Sequence, residues 1–216
     1  MNNRPLKEIL KEEKAAVEKV LGKELEGIRE NIYPKLYEAM EYALFTGGKR
    51  VRPIIIKWFA HTGKPDDEKL SKAMAALEFV HTYSLIHDDL PAMDDDDSRR
   101  GKPAVHIKFG EGMAILAGDA LLTEAFGLLA RTGISRLSLI LSAAAGAAGM
   151  VGGQAADIAV GPKQDINYIN NLKTAKLFEA SAMMGVTLAG YTENNLEKAA
   201  SYGINLGRAF QLRDDL

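Results

Sequence analysis

Two short runs place carboxylates where helices end. In HDDLPAMDDDD, residues 87–97, six aspartates fall within ten positions, and in RDDL, residues 213–216, a second pair closes the sequence. Like charges that close repel and raise one another's pKa unless a cation lies among them. Two opposed carboxylate clusters can hold Mg²⁺, which takes a few carboxylates and completes its shell with water and phosphate oxygens. The chemistry these spacings suit is therefore metal-assisted handling of a phosphorylated ligand. For Asp95–Asp97 alone, a solvated acidic loop is the simpler reading. Asp88 and Asp89 differ, because the stretch before them is apolar on most sides. Pro91 removes a backbone donor and bends the chain, so either Asp94 or Asp95 can join the shell of Asp88, and helical periodicity leaves both open.

The cations such a ligand needs are present in three groups: GGKRVRP at 47–53, Arg99-Arg100, and Lys173-Thr174. Diphosphates are gripped best by guanidinium forks together with ammonium point charges. Gly47-Gly48 can present backbone amides while Lys49 and Arg52 point into the same site. Singly each group is weak, since lysine and arginine are common on surfaces. Their company with two aspartate clusters is what carries the argument.

The elements that must position these residues read as helices almost throughout. Residues 6–30 form an amphipathic helix with Leu6, Ile9, Leu10, Val17, Val20, Leu21 and Leu25 on or near one face. A second helix spans 34–45 and stops at Gly47-Gly48, and Pro53 sits early in a third, a tolerated position. After the Gly63-Lys64-Pro65-Asp66 breaker a helix runs through Leu70, Met74, Leu77, Val80 and Leu85 to the aspartates. SRRGKPAVH reads as a loop. Further helices are expected at 112–131, 135–157, 165–189 and 194–215. Strand signals are weak. The expectation is one all-α domain over residues 1–216, a helical bundle.

Composition bounds the rest. The chain has 216 residues, is 47% hydrophobic and carries a formal charge of −2, without the basic excess of a nucleic-acid binder. It has no cysteine, which excludes disulfides and thiolate metal sites and suits a reducing cytoplasm. The first residues have no signal-peptide core. Leu137–Ala156 carries no charge, but its glycines, serines and alanines suit a closely packed soluble helix better than a Leu-rich span. No stable membrane insertion is expected.

Beyond these arguments the chain resembles the trans-type isoprenyl diphosphate synthases, particularly the bacterial short-chain enzymes related to farnesyl diphosphate synthase. The strings that carry the likeness are GGKRVRP (47–53), HTYSLIHDDLPAMDDDDSRRGKPAVH (81–106), GGQAAD (152–157), KT (173–174) and FQLRDD (210–215), in the family's order. The resemblance implies a helical bundle around a central apolar cavity. It implies that Asp88, Asp89 and Asp94 form the first aspartate-rich motif, which holds Mg²⁺, and so prefers Asp94 to Asp95. It further implies that Gly48, Lys49, Arg52, His81 and Arg100 grip isopentenyl diphosphate. Arg99 and Lys173 would bind the allylic diphosphate with Thr174 and Gln211 nearby, and Gln154 and Asp157 would line the cavity. Asp214 and Asp215 match the start of the second motif, Asp214 being a metal ligand. A homodimer is implied as well.

Tyr83 and Ser84 lie five and four residues before Asp88, one turn below the metal site. A bulky aromatic there would floor the tunnel and limit growth, which in this family suggests a fifteen-carbon product; the plainer alternative is an ordinary core aromatic. Family members continue past QLRDD, so a chain ending at Leu216 would lack part of one metal cluster and one wall of the cavity. Three rivals remain. A metal phosphohydrolase on His61, His81 and His87-Asp88 leaves the aspartate run and paired arginines unexplained. A class I terpene cyclase would not need a second diphosphate grip at Lys49, Arg52 and His81. An inactive fragment or non-catalytic partner subunit would bind no allylic diphosphate by itself.

Overall fold

The computed structural model describes residues 4–159 and 166–214. It is almost wholly helical, as the periodicity predicts. Helix α1 spans Leu6–Glu26 and is followed by a single 3₁₀ turn, Arg29–Asn31; α2 spans Pro34–Phe45 with its proline in the first turn, where no amide hydrogen is needed. Helices α3 (Val51–Ala60) and α4 (Asp67–Asp88) come next. The start of α4 is set by Asp66, whose Oδ1 accepts from the amides of Glu68 and Lys69 at 3.0 Å each. These bonds, that from Lys69 foremost, hold the Asp66 carboxyl below its ordinary pKa.

The loop SRRGKPAVH is more ordered than its composition suggests. Ser98–Arg99 (β1) pairs antiparallel with Lys102–Pro103 (β2), with Arg100 and Gly101 at the turn in the left-handed region. A short helix, α5 (Val105–Phe109), then precedes α6 (Glu111–Arg131). The expected helix over 135–157 is two helices, α7 (Ser135–Ala145) and α8 (Met150–Ile158). The break lies at Gly146–Gly149. There Gly146 turns extended, and a side chain on Gly149 would meet the Ala144 carbonyl at 2.1 Å. Alanine-rich flanks hide that break from a propensity argument. The last segments are α9 (Ile166–Asn170), a π-helical turn (Asn171–Ala175), α10 (Lys176–Leu188) and α11 (Glu193–Asp214).

Contacts divide the chain into two compact units, Met1–Ile54 with Met74–Gly127, and Ile55–Ala73 with Leu128–Leu216. The core of the first is built from Leu21 and Leu25 of α1, Met40 and Leu44 of α2, Leu77, Phe79 and Val80 of α4, and Leu121 of α6, all fully buried. Between Met74 and Ile86 every residue of α4 is buried or half-buried, so this stretch runs through the core. The second unit is centred on α10, which packs against α7 and α11 and buries Leu177, Phe178, Ala180, Ala182 and Met184. Burying one phenylalanine such as Phe79 or Phe178 contributes about 2 kcal/mol.

Candidate active site

In the first unit the catalytic candidates collect around the end of α4 and the turn before α3. Gly47 and Gly48 have φ of 121° and 128°, which a side chain would oppose, and Gly48 is also where the Arg100 guanidinium lies closest. Arg100 donates to the Gly47 carbonyl, tying the β1–β2 turn to the GGKR turn. Arg52 Nη1 lies 3.4 Å from His81 Nε2. Burial and then the guanidiniums of Arg52, Arg100, Arg50 and Arg99 hold the His81 pKa well below its ordinary value. At neutral pH this imidazole is uncharged and adds no further positive charge to the cluster. Lys49 is exposed beside them.

The aspartates settle into two different environments. Pro91 ends the helix, and the chain folds back so that the Asp94 amide donates to the Asp88 carbonyl at 2.9 Å and the Asp96 amide to the Asp89 carbonyl at 3.2 Å. The backbone thus returns Asp94 to Asp88, whereas Asp95 takes a left-handed φ of 54° and bonds to Leu90. Asp94 is exposed and Asp88 half-buried. Asp89 is 2% exposed, and its Oδ1 accepts from Arg99 Nε at 2.6 Å and from Nη2. That bond, followed by the nearby acidic charges, raises the Arg99 pKa above its ordinary value against the effect of burial. Tyr83 is buried one turn below Asp88; burial first and Asp88 second push its phenol up. Ser84 donates to the His81 carbonyl at 2.9 Å.

Among the described residues no three acidic or histidine side chains converge to hold a metal on their own. Asp88 and Asp94 nevertheless fit Mg²⁺, because that ion needs only one or two carboxylates when water and phosphate oxygens supply the rest.

The second unit carries the other half of the candidates. Lys173 Nζ donates to Asp157 Oδ2 of α8 at 2.8 Å, and Thr174 Oγ1 donates to Gln211 Oε1 of α11 at 2.9 Å. Gln154 is buried on the same helix as Asp157. Lys173 and Thr174 stand on the π-helical turn, which packs against α8 and α11. Such turns occur mostly as single insertions and frequently at functional positions. The side chain of Asp214 and all of Asp215 lie outside the described residues.

Two residues that sequence reasoning passed over, Arg50 and Glu78, belong to this arrangement. Arg50 is buried with φ 53°, donates to Glu78 Oε1 at 2.7 Å and to the Leu44 carbonyl, and lies 3.8 Å from Glu18. Glu78 is itself 3% exposed. A charged residue inside the apolar run MAALEFV was the available signal, because acidic groups are seldom buried unpaired. His87, considered above only as a ligand in the hydrolase reading, contacts Tyr83 with ring centroids 5.7 Å apart.

An almost wholly helical chain with one helix ending in paired aspartates, and arginines gathered beside them, is the pattern of the isoprenoid synthases. Residues 33–216 match the family description polyprenyl synthetase, and the chain belongs to that family. It is 42% identical over 223 residues to a farnesyl diphosphate synthase of Geobacillus stearothermophilus, covering 98% of this chain and 74% of that one. It is also 42% identical over 197 residues to a chloroplastic geranylgeranyl pyrophosphate synthase, number 11, of Arabidopsis thaliana, covering 84% of this chain and 55% of the relative. Its fold matches the crystal structure of a synthase of Zymomonas mobilis titled FPP/GFPP synthase, with a TM-score of 0.89 and 35% identity over 97% of this chain and 80% of that one. These relatives are prenyltransferases whose names carry different product lengths.

Proposed function

We propose that the chain joins isopentenyl diphosphate head-to-tail to an allylic diphosphate, dimethylallyl or geranyl, with Mg²⁺, and ends at the fifteen-carbon farnesyl diphosphate. The observation that carries this reading is the pairing of a cation cluster, Arg52 and Arg100 around a neutral His81, with carboxylates at the end of α4. A hydrolase needs only one phosphate grip, and this chain has cations for two.

The roles follow from the side chains. Lys49, Arg52 and Arg100 hold the diphosphate of isopentenyl diphosphate, with His81 accepting or donating one neutral hydrogen bond. Arg99 and Lys173 offer positive charge to the allylic diphosphate, with Thr174 adding a hydroxyl. Asp88 and Asp94 hold Mg²⁺, Asp214 and Asp215 extend the acidic set, and Asp89 orients Arg99. Mg²⁺ supplies charge that stabilises the departing diphosphate. The allylic C–O bond breaks and diphosphate leaves with the electron pair. The double bond of isopentenyl diphosphate then forms the new C–C bond, and the proton lost passes to the released diphosphate. Apolar walls exclude the water that would quench the cation. Tyr83, backed by Ser84 on the same turn, floors the space for the growing chain.

The assembly proposed is a homodimer. In its support α6 leaves Ile115 and Leu116 exposed, apolar surface of the sort partners cover. A cytoplasmic setting suits the cysteine-free sequence. The test supplies Mg²⁺, isopentenyl diphosphate and either allylic diphosphate to the 216-residue chain and identifies products by mass. A fifteen-carbon diphosphate supports the reading. Absence of condensation, with no binding of an allylic diphosphate analogue, favours a non-catalytic partner subunit.

A further inference from the structure

His87 has no part in the mechanism above, yet its setting is unusually constrained. It stands next to Asp88 at the end of α4, and its ring meets Tyr83, four residues earlier on the same helical face, edge-on at 79° with centroids 5.7 Å apart. On its far side Nε2 lies 3.1 Å from the Ile115 carbonyl of α6. A carbonyl can only accept, so Nε2 carries the hydrogen and the ring orientation is fixed. Asp119 Oδ1 stands 3.9 Å away. Behind the ring is Gly118, where a methyl group would lie 2.2 Å from Nε2 and 2.5 Å from Cδ2. The imidazole is therefore seated directly on helix backbone, at a position where alanine would not fit without a shift.

We infer that His87 is a positioning residue for product length: its ring, stopped by Gly118 and the Ile115 carbonyl, holds Tyr83 in place as the floor beneath the growing prenyl chain. Tyr83 cannot swing toward α6 without displacing the imidazole, and the imidazole cannot retreat into backbone. A floor residue is only as rigid as what stands behind it, because a ring with room to turn about χ1 and χ2 yields to a longer hydrocarbon. This inference rests on the proposed synthase activity and on Tyr83 as the floor. Nothing in it requires His87 to touch substrate or metal.

The test uses His87→Ala, His87→Asn, Tyr83→Ala and the double variant in the full chain, with geranyl diphosphate and excess isopentenyl diphosphate. Enzyme is held in molar excess over the allylic substrate so that slow variants still report their products. The readout is the ratio of twenty-carbon to fifteen-carbon diphosphate by mass, which a loss of fold or of rate does not by itself move. His87→Ala is expected to raise that ratio about tenfold, the scale of one lost aromatic contact. His87→Asn, which keeps a donor for the Ile115 carbonyl but lacks the ring, should match it. Tyr83→Ala should lengthen products at least as far, and the double variant no further than Tyr83→Ala alone.

If Tyr83→Ala lengthens products while both His87 variants do not, the inference fails and the floor reading survives. If Tyr83→Ala itself changes nothing, the floor reading falls and the inference with it. Additive lengthening in the double variant, or His87 variants that make no product at all, would overturn a role exerted through Tyr83.

Discussion

The two groups of candidate residues each neutralise a cation with an aspartate, but they do so in different media. In the first unit Arg99, its side chain 28% exposed, meets Asp89, which is 3% exposed, and Arg50 and Glu78 form a pair exposed by 1% and 3%. In the second unit Lys173 meets Asp157 with side chains 30% and 40% exposed. Desolvated ions attract strongly but cannot do without one another, whereas screened ions separate at small cost. The first group is thus a fixed framework that presents charge, and the second is a set of partly solvated side chains whose partners exchange at small cost, as the proposed diphosphate binding requires. Backbone geometry agrees. The first is pinned by left-handed residues at Arg50 and Arg100, while Lys173 and Thr174 ride on a π turn.

The largest effect expected follows from the most buried pair. Glu78→Gln should cost about 3 kcal/mol of unfolding free energy, because it leaves the buried Arg50 guanidinium with only the part-exposed Glu18 carboxylate, 3.8 Å away, as counter-charge. Urea titration measures this. Since Arg50 sits between Lys49 and Arg52, any residual activity should show a raised KM for isopentenyl diphosphate. A variant as stable as the parent would mean that the pair is not a framework, and the contrast between the two groups would collapse.

Next in size are the cations themselves. Arg99→Gln removes charge-assisted bonds worth about 1.5–3 kcal/mol, hence a loss of about 10–100-fold in kcat/KM for the allylic substrate. It also strands Asp89, so its melting temperature should fall. Lys173→Gln should lower kcat/KM by a similar factor with little change in melting temperature. It is the dissociation of activity from stability at Lys173, and their coupling at Arg99, that separates the two groups. Parallel kinetics and thermal melts of both variants read it directly.

Much of this was legible in sequence, for a physical reason. The first aspartate run, GGKRVRP and the arginine pair are local strings, so composition and helix-end signals place them without knowledge of tertiary contacts. The helices were legible wherever an apolar face repeats, from α1 to α4 and again in α6, α10 and α11. What was not legible depended on contacts across distance or on turns without a marked composition. The α7–α8 break sits among alanines that favour helix, the π turn has no compositional sign, and α5 is too short for periodicity to register. Lys173–Asp157 and Thr174–Gln211 join residues 16 and 37 positions apart; the family resemblance put Thr174 near Gln211, and nothing in the sequence paired Lys173 with Asp157. Between Asp94 and Asp95 the family resemblance made the choice; the backbone bond from the Asp94 amide to the carbonyl of Asp88 is a contact that no periodicity argument shows.

His81 offers a smaller effect, with a sign that follows from its surroundings. Its folded pKa lies well below the ordinary value of about 6.5. Between those two values the unfolded chain binds a proton that the folded chain refuses, so stability is full above pH 6.5 and falls as pH drops, by at most about 1.4 kcal/mol per pH unit. Four guanidiniums, Arg52, Arg100, Arg50 and Arg99, face this ring and oppose its charging. His81→Gln should remove that part of the slope between pH 6.5 and 5.5 in urea titrations. An unchanged slope would show that the ring charges freely in the folded state.

The smallest effect belongs to Asp157. Its pair with Lys173 is partly solvated, so Asp157→Asn should change unfolding free energy by less than about 1 kcal/mol. The functional consequence is set by competition. In the unliganded chain Asp157 occupies the Lys173 ammonium that the allylic diphosphate is proposed to claim, so removing its charge lowers the cost of that exchange while losing one orienting bond. The two contributions oppose, and KM for the allylic substrate should shift by less than about fivefold, in line with the small worth of exposed pairs. Asp89→Asn is the matched control. There the carboxylate is buried and orients Arg99 for the same substrate, so neutralising it gives up orientation and weakens bonds made on the desolvated side of the pair. A KM change at Asp157 as large as that at Asp89 would mean that exposure does not govern these pairs, and that both groups are equally rigid.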